Sequence, residues 1–307
     1  MPTIQAPEGV CFFAYNNSQL DYVNMAITSS KFVKKNLQLP VCLITDEGSL
    51  SWLEESHSTE EIEKCFDYIV TTNDNMKANS RRHYDSPWTE FTAQFNNSNK
   101  HKIYQYSPFE KTLLLDIDYI VKSDTLLKYF DSDYSVSMFD NATTLRNEPP
   151  AFLERFLYDA GIKMWWSTVV YFDRSEFSEL FFNTWSHVAD NYDYYQYLYN
   201  FPRKMFRTDY CVSIAVHILS GMTAEQDNIG NFDGTSLLNM SQKDDIIEVT
   251  SDNTWVMLSH DSKEVWKNIL VKTNNQDIHL MNKRAFDRII PKLTEYLLWL
   301  KNKSRVM

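Results

Sequence analysis

Asp116 and Asp118 are the pair in this sequence best placed to do chemistry. They stand one residue apart, in Leu113-Leu114-Leu115-Asp116-Ile117-Asp118-Tyr119-Ile120-Val121. Leu113 to Leu115 form an apolar run of strand length. Pro108 upstream and Ser123-Asp124 downstream bound the segment with turn and cap residues. A buried strand does not end in two carboxylates unless something compensates their charge. A hard, oxygen-preferring cation such as Mg²⁺ or Mn²⁺ would do so, and would bind phosphate oxygens at the same time. Asp131-Ser132-Asp133 repeats the spacing without an apolar lead-in and reads as a solvated turn. The first pair differs by its placement at the end of a strand, where open α/β sheets bind ligands.

The elements around that strand read as alternating strands and helices. Gly9–Tyr15 and Val41–Asp46 read as buried strands, with a helical pattern over Gln19–Asn36 between them and a shorter strand at Ile69-Val70. Strand, helix, strand over that length predicts a βαβ unit and a parallel sheet. No Gly-x-Gly-x-x-Gly turn follows the first strand, which argues against an ordinary dinucleotide site. Further strands are expected at Ser135–Phe139, Trp165–Phe172, Trp255–His260 and Ile278–Lys283. Helices are expected at Pro87–Tyr106, Ala151–Ala160, Arg174–Tyr199, Phe206–Ile218 and Ala285–Lys303, and a loop-rich stretch at Gly221–Asp252.

The segment Ser107-Pro108-Phe109-Glu110-Lys111-Thr112-Leu113-Leu114-Leu115-Asp116-Ile117-Asp118 resembles the Asp-x-Asp segment of GT-A-fold glycosyltransferases. The likeness is to the retaining glycogenin and galactosyltransferase-like group and its phage and bacterial relatives, and it extends with gaps from about Val10 to Lys283. It implies an α/β GT-A (Rossmann-like) fold, with a mostly parallel central sheet flanked by helices. It implies one domain over residues 1–307, with a nucleotide-sugar-binding half at 1–125 and an acceptor-side half with a C-terminal helix at 126–307. The implied activity is metal-dependent transfer of a sugar, with retention, from a nucleoside-diphosphate sugar such as a UDP-sugar to an acceptor hydroxyl.

Carried over by position, the resemblance makes Asp116 and Asp118 ligands of Mn²⁺ or Mg²⁺, with Ile117 between them against the donor. Ala14, Tyr15, Asn16 and Asp46 would cup the nucleoside, although Asp46 also suits a helix N-cap. The basic clusters Arg81-Arg82 and Lys100-His101-Lys102 precede the motif, and Lys102 is the expected contact to the donor. A late histidine would complete the metal site. His279 with Lys283 on the diphosphate is preferred, and His260 with Lys263 is the alternative. Asp209, in the first turn of an apolar helix, and Asp140, after a strand, are the expected acceptor-side catalytic carboxylates, and Glu148 is a third candidate. The family's Asn-containing strand is replaced by Trp166-Ser167-Thr168-Val169, which leaves Ser167 as a partial substitute.

Composition narrows the partners. The 307 residues are 43% hydrophobic and 15% aromatic, enough for a large core. A formal net charge of -11 opposes an extended nucleic-acid surface but allows a local basic patch. Cys11, Cys42, Cys65 and Cys211 have no metal-ligand spacing and lie mostly in apolar runs, which predicts buried free thiols and a cytoplasmic setting. No leader, anchor or membrane span is expected. The acceptor stays open between glycan, protein and modified base in DNA. A carbohydrate-binding relative without catalysis is the competing reading.

Overall fold

Six of the seven strands in the central sheet run the same way. Their order across the sheet is Tyr68–Thr71, Val41–Thr45, Ala6–Phe13, Phe109–Leu115, Trp166–Phe172, Val136–Phe139, Gly230–Asn231. Trp166–Phe172 is antiparallel to both of its neighbours, and the remaining pairs are parallel. The computed structural model describes residues 3–73, 79–95, 99–149, 155–201, 206–232, 236–261 and 264–303. The mixed α/β architecture with a mostly parallel sheet is the expected one.

The centre of the sheet is apolar because it is covered on both faces. Val10 to Phe12, Val41 to Ile44 and Leu113 to Leu115 are all buried. Each such side chain contributes roughly 1.5–3 kcal/mol of burial. Helix Tyr22–Asn36 starts on Asp21, whose carboxylate accepts the Asn24 amide, and it buries Val23, Met25, Ala26, Phe32 and Val33. Helices Glu176–Asp190 and Thr208–Leu219 pack against each other, and the latter also packs on strand Trp166–Phe172. Helix Lys283–Lys303 closes the described chain and contacts Tyr22–Asn36.

A second, four-stranded sheet decides where the site forms. Its order is Tyr119-Ile120, Ile278–Leu280, Leu237–Met240, Ala142–Thr144. Tyr119 pairs with His279, and His279 with Asn239. The residues just after the Leu113–Leu115 strand are thereby sewn to a segment some 160 positions later in the sequence.

Three expectations need correction. Pro87–Tyr106 is not one helix. It holds the second strand of an antiparallel hairpin, Asn79–Tyr84 with Glu90–Phe95, then a 3₁₀ turn at Lys100–Lys102 and a short helix at Ile103–Tyr106. From Glu90 to Gln94 the burial alternates, with Phe91 and Ala93 turned inward, so the working period is 2. The stretch Gly221–Asp252 is not mainly loop, since it contributes strands Gly230–Asn231, Leu237–Met240 and Asp245–Val249. The helix expected over Ala151–Ala160 lies partly outside the described residues. Its described part is a strand at Phe156–Leu157 and a 3₁₀ turn at Tyr158–Ala160, and the strand pairs beyond Gly161, at φ +66°, with Ile162–Lys163.

All four cysteines are buried and unpaired. Among the described residues, no helix is long and apolar enough to cross a membrane.

Candidate metal and nucleotide site

Strand Phe109–Leu115 delivers Asp116 and Asp118 at the C-terminal edge of the parallel sheet. The turn between them is fixed by backbone bonds: Asp116 N donates to Thr168 O, and Tyr119 N to Asp116 O, both at 2.9 Å. Leu280 N donates to Asp118 O at 2.8 Å, which brings His279 alongside. One side-chain atom each from Asp116, Asp118 and His279 lie within 4.8 Å of one another.

The donor chemistry of this trio suits a divalent cation. Oδ1 of Asn239 lies 2.9 Å from Nδ1 of His279. An amide oxygen only accepts, so Nδ1 carries the proton and Nε2 carries a lone pair. Burial holds the imidazole neutral by pushing its pKa down to about 4, against the pull of Asp116. That lone pair faces Oδ2 of Asp118 at 3.1 Å, and the same buried Oδ2 also pairs with the Lys283 amine. The Nε2 lone pair, Oδ2 and an oxygen of Asp116 are close enough together to share one divalent ion. Two carboxylates and an imidazole with its tautomer fixed are a fitting set for Mn²⁺ or Mg²⁺.

Two lysines flank the trio. Lys100, on the turn Lys100–Lys102, places Nζ 2.5 Å from Asp116 Oδ1 and donates to Ser167 O at 2.6 Å. Lys283, at the start of the last helix, pairs with Asp118. Burial, reinforced by repulsion from Arg81, lowers the Lys283 ammonium to about 7. Arg81 is itself lowered by burial.

These groups line a cleft of about 700 Å³. On one wall stand Phe13, Tyr15, Tyr22 and Asn99, where Asn99 Nδ2 donates to Tyr15 Oη at 3.2 Å. On another stands Asp209, whose Oδ1 accepts from Ser167 N at 3.0 Å and Ser167 Oγ at 2.8 Å. Burial alone would raise the Asp209 carboxyl. Arg207, Lys100 and the two Ser167 bonds outweigh it and hold the group below the ordinary range. A polar line therefore runs from Asp116 through Lys100 and Ser167 to Asp209.

Of the residues singled out in the sequence, Tyr15, Asp116, Ile117, Asp118, Ser167, Asp209, His279 and Lys283 line the cleft. Lys102 does not, and Lys100 stands in its place: successive side chains on a 3₁₀ turn point about 120° apart. Ala14 is buried behind the wall, and Asn16 is engaged with Asp21 and the Val23 amide. Asp46 is an N-cap, accepting from Ser49 N at 2.7 Å. Asp140 is held by Lys163 at 2.7 Å outside the lining, and Glu148 is exposed. His260 lies against Trp88, away from the lining, and Lys263 is outside the described residues. Sequence reasoning missed Tyr22, Asn99, Lys100 and Asn239, and left Arg81 without a role. Only the basic clusters at 81–82 and 100–102 carried a signal.

No protein-family model matches the chain, and no curated protein matches it. Among solved structures, 75% of the chain aligns with 46% of the glycosyltransferase GlyE of Streptococcus pneumoniae TIGR4, at 13% identity and a TM-score of 0.42. It aligns over 73% of its length with 72% of the galactosyltransferase LgtC, in complex with donor and acceptor sugar analogs, at 12% identity and a TM-score of 0.40. It aligns over 75% with 58% of the mannosyltransferase PcManGT of Pyrobaculum calidifontis, in complex with GDP-Man and Mn²⁺, at 11% identity and a TM-score of 0.34. The chain spans about half the length of GlyE. Likeness at this level assigns no residue and no activity to this chain.

Proposed function

We propose that the chain is a metal-dependent glycosyltransferase that moves a sugar from a nucleoside-diphosphate sugar, a UDP-sugar first of all, to an acceptor hydroxyl. The observation that carries this reading is the trio of Asp116, Asp118 and His279, one side-chain atom of each within 4.8 Å of the others at the end of the Phe109–Leu115 strand. Asp116, Asp118 and His279 would hold Mn²⁺ or Mg²⁺. When bound, such an ion supplies Lewis-acid stabilisation to a diphosphate.

The remaining work falls to side chains. Lys100 and Lys283 place their amines where the departing diphosphate would gain negative charge, which would favour the protonated form of Lys283. Phe13, Tyr15, Tyr22 and Asn99 supply the aromatic and amide groups that suit a nucleoside base, and Ile117 lines the same cleft. Asp209 is anionic at neutral pH and oriented by Ser167, so it can accept a hydrogen bond from an acceptor hydroxyl and fix its approach. Buried free thiols suit a reducing compartment such as the cytoplasm.

A panel of UDP- and GDP-sugars, assayed for nucleoside-diphosphate release with Mn²⁺ and with chelator, tests the reading. Release is expected for at least one donor, only with the metal, and not in Asp118→Ala. Undiminished release in chelator, or from Asp118→Ala, would contradict it.

A further inference from the structure

The cleft is far more basic than the chain that encloses it. The protein carries 30 Lys and Arg against 41 Asp and Glu. Its cleft is lined by the six cations Arg81, Arg82, Lys100, Arg207, Lys243 and Lys283, against three carboxylates, Asp116, Asp118 and Asp209. Lys100, Lys283 and Arg207 each pair with one of those carboxylates. A divalent ion and a nucleoside-diphosphate sugar bring about two charges of opposite sign each, so their arrival leaves the balance unchanged. Arg82 and Lys243 line the cleft outside those three pairs and away from the metal trio. Holding like charges together in a cleft is costly unless an anion joins them.

Both of these cations stand beside Tyr84. Arg82 and Tyr84 are two apart on strand Asn79–Tyr84, and therefore on one face of the hairpin. Nζ of Lys243 lies 5.0 Å from the centre of the Tyr84 ring. The Arg82 side chain is 62% exposed, and its one ion-pair contact, Glu90 at 3.4 Å, is also largely exposed, so that pairing is weak. A guanidinium and an ammonium beside one tyrosine ring match a phosphate borne on a sugar or polyol.

We propose that the acceptor is a phosphorylated sugar or polyol, its phosphate held by Arg82 and Lys243 beside Tyr84. This rests on the glycosyltransferase reading above and names the acceptor class for that same cleft. The net charge of -11 over the whole chain favours a small phosphorylated acceptor over a polynucleotide, which would meet repulsion beyond the cleft.

Calorimetry on the full chain, loaded with UDP and Mn²⁺, tests the proposal with matched probes: glucose 6-phosphate against glucose, and glycerol 3-phosphate against glycerol. The phosphorylated member of each pair is expected to bind at least about tenfold more tightly. The double variant Arg82→Ala, Lys243→Ala should abolish that difference while UDP affinity stays within about twofold, and Arg82→Lys, Lys243→Arg should restore it in part. Equal binding within each pair would overturn the proposal. So would a loss of UDP affinity in the double variant as large as the loss of phosphate discrimination, because the two cations would then serve the donor. Tighter binding of a DNA oligonucleotide than of either probe would replace the small acceptor with nucleic acid. Failure of UDP and Mn²⁺ to bind at all would overturn the underlying reading instead. The same paired comparison on the unliganded protein then tests the phosphate site alone, where equal binding again overturns it.

Discussion

Asn239 accepts from Nδ1 of His279 at 2.9 Å and so turns the Nε2 lone pair of His279 toward Asp118. The two residues pair in register on adjacent parallel strands, so the backbone fixes their contact as well as the side chains. Partners of this kind typically change metal affinity 10–100-fold. Asn239→Leu should leave a folded protein whose Mn²⁺ affinity, read by the electron paramagnetic resonance of free ion, is at least about tenfold weaker. Asn239→Asp keeps an acceptor and should stay close to wild type. Equal affinity in all three proteins would mean that the tautomer of His279 is set elsewhere.

Lys100 bridges Asp116 and the carbonyl of Ser167, whereas Lys102 lies outside the cleft lining. Removing Lys100 strips a charge from the diphosphate side and leaves Asp116 without its ion pair. Lys100→Ala should weaken Mn²⁺-dependent UDP binding about tenfold or more, and Lys102→Ala should change it less than about twofold. Fluorescence titration of the two variants separates them, and the reverse order would restore Lys102 as the donor contact.

Asp209 binds both donors of Ser167 and pairs with Arg207 at 3.4 Å. Asp209→Asn retains an acceptor for Ser167 but loses the charge. Transfer to the true acceptor should fall by about a hundredfold or more, with UDP and Mn²⁺ affinity nearly unchanged. Slow donor hydrolysis by water should persist. A wild-type transfer rate would reduce Asp209 to a helix-end carboxylate.

The parts of the site that were legible in the sequence are those carried by one short segment. Leu113 to Leu115 followed by Asp116 and Asp118 announces a buried strand ending in a charge problem, and such a pattern needs no partner to be read. The place of Asp209 in the first turn of an apolar helix was legible in the same way, but its acceptor-side role came from the resemblance. His279 with Lys283 came from resemblance and not from pattern. The hairpin at Asn79–Phe95 was misread because Trp88, Phe91 and Phe95 mimic a helical spacing, although the strand buries alternate residues. Asn239 was invisible: its function arises only when Leu237–Met240 pairs with Ile278–Leu280, about 40 residues away. Lys100 and Lys102 differ by a rotation about a 3₁₀ turn, which sequence does not reveal unless the turn type is known.

His83 is buried and stacked on Phe91, with ring centres 5.3 Å apart and planes 16° from parallel. Burial, and then the charges of Arg81, Lys283 and Arg284, lower its pKa from the ordinary 6.5 to about 4. The fold therefore holds it neutral, while the unfolded chain takes up a proton near 6.5. Stability from this group is complete above about pH 6.5 and is lost as pH falls toward 4, by an amount on the order of 3 kcal/mol. His83→Phe keeps the stacking and removes the proton site, so its urea-unfolding free energy should fall less steeply than wild type between pH 6.5 and 4. Parallel slopes would show that His83 does not take part.

The most direct measurement of the central claim is a calorimetric titration of UDP into the protein, with Mn²⁺ and then with chelator, in wild type and in Asp118→Ala. The account predicts tight binding by wild type with Mn²⁺, at least about tenfold weaker binding in chelator, and no metal-dependent increment in Asp118→Ala, because on the proposed reading Asp116, Asp118 and His279 would together hold the ion. Equal UDP affinity with and without Mn²⁺, or a full metal-dependent increment in Asp118→Ala, would contradict it.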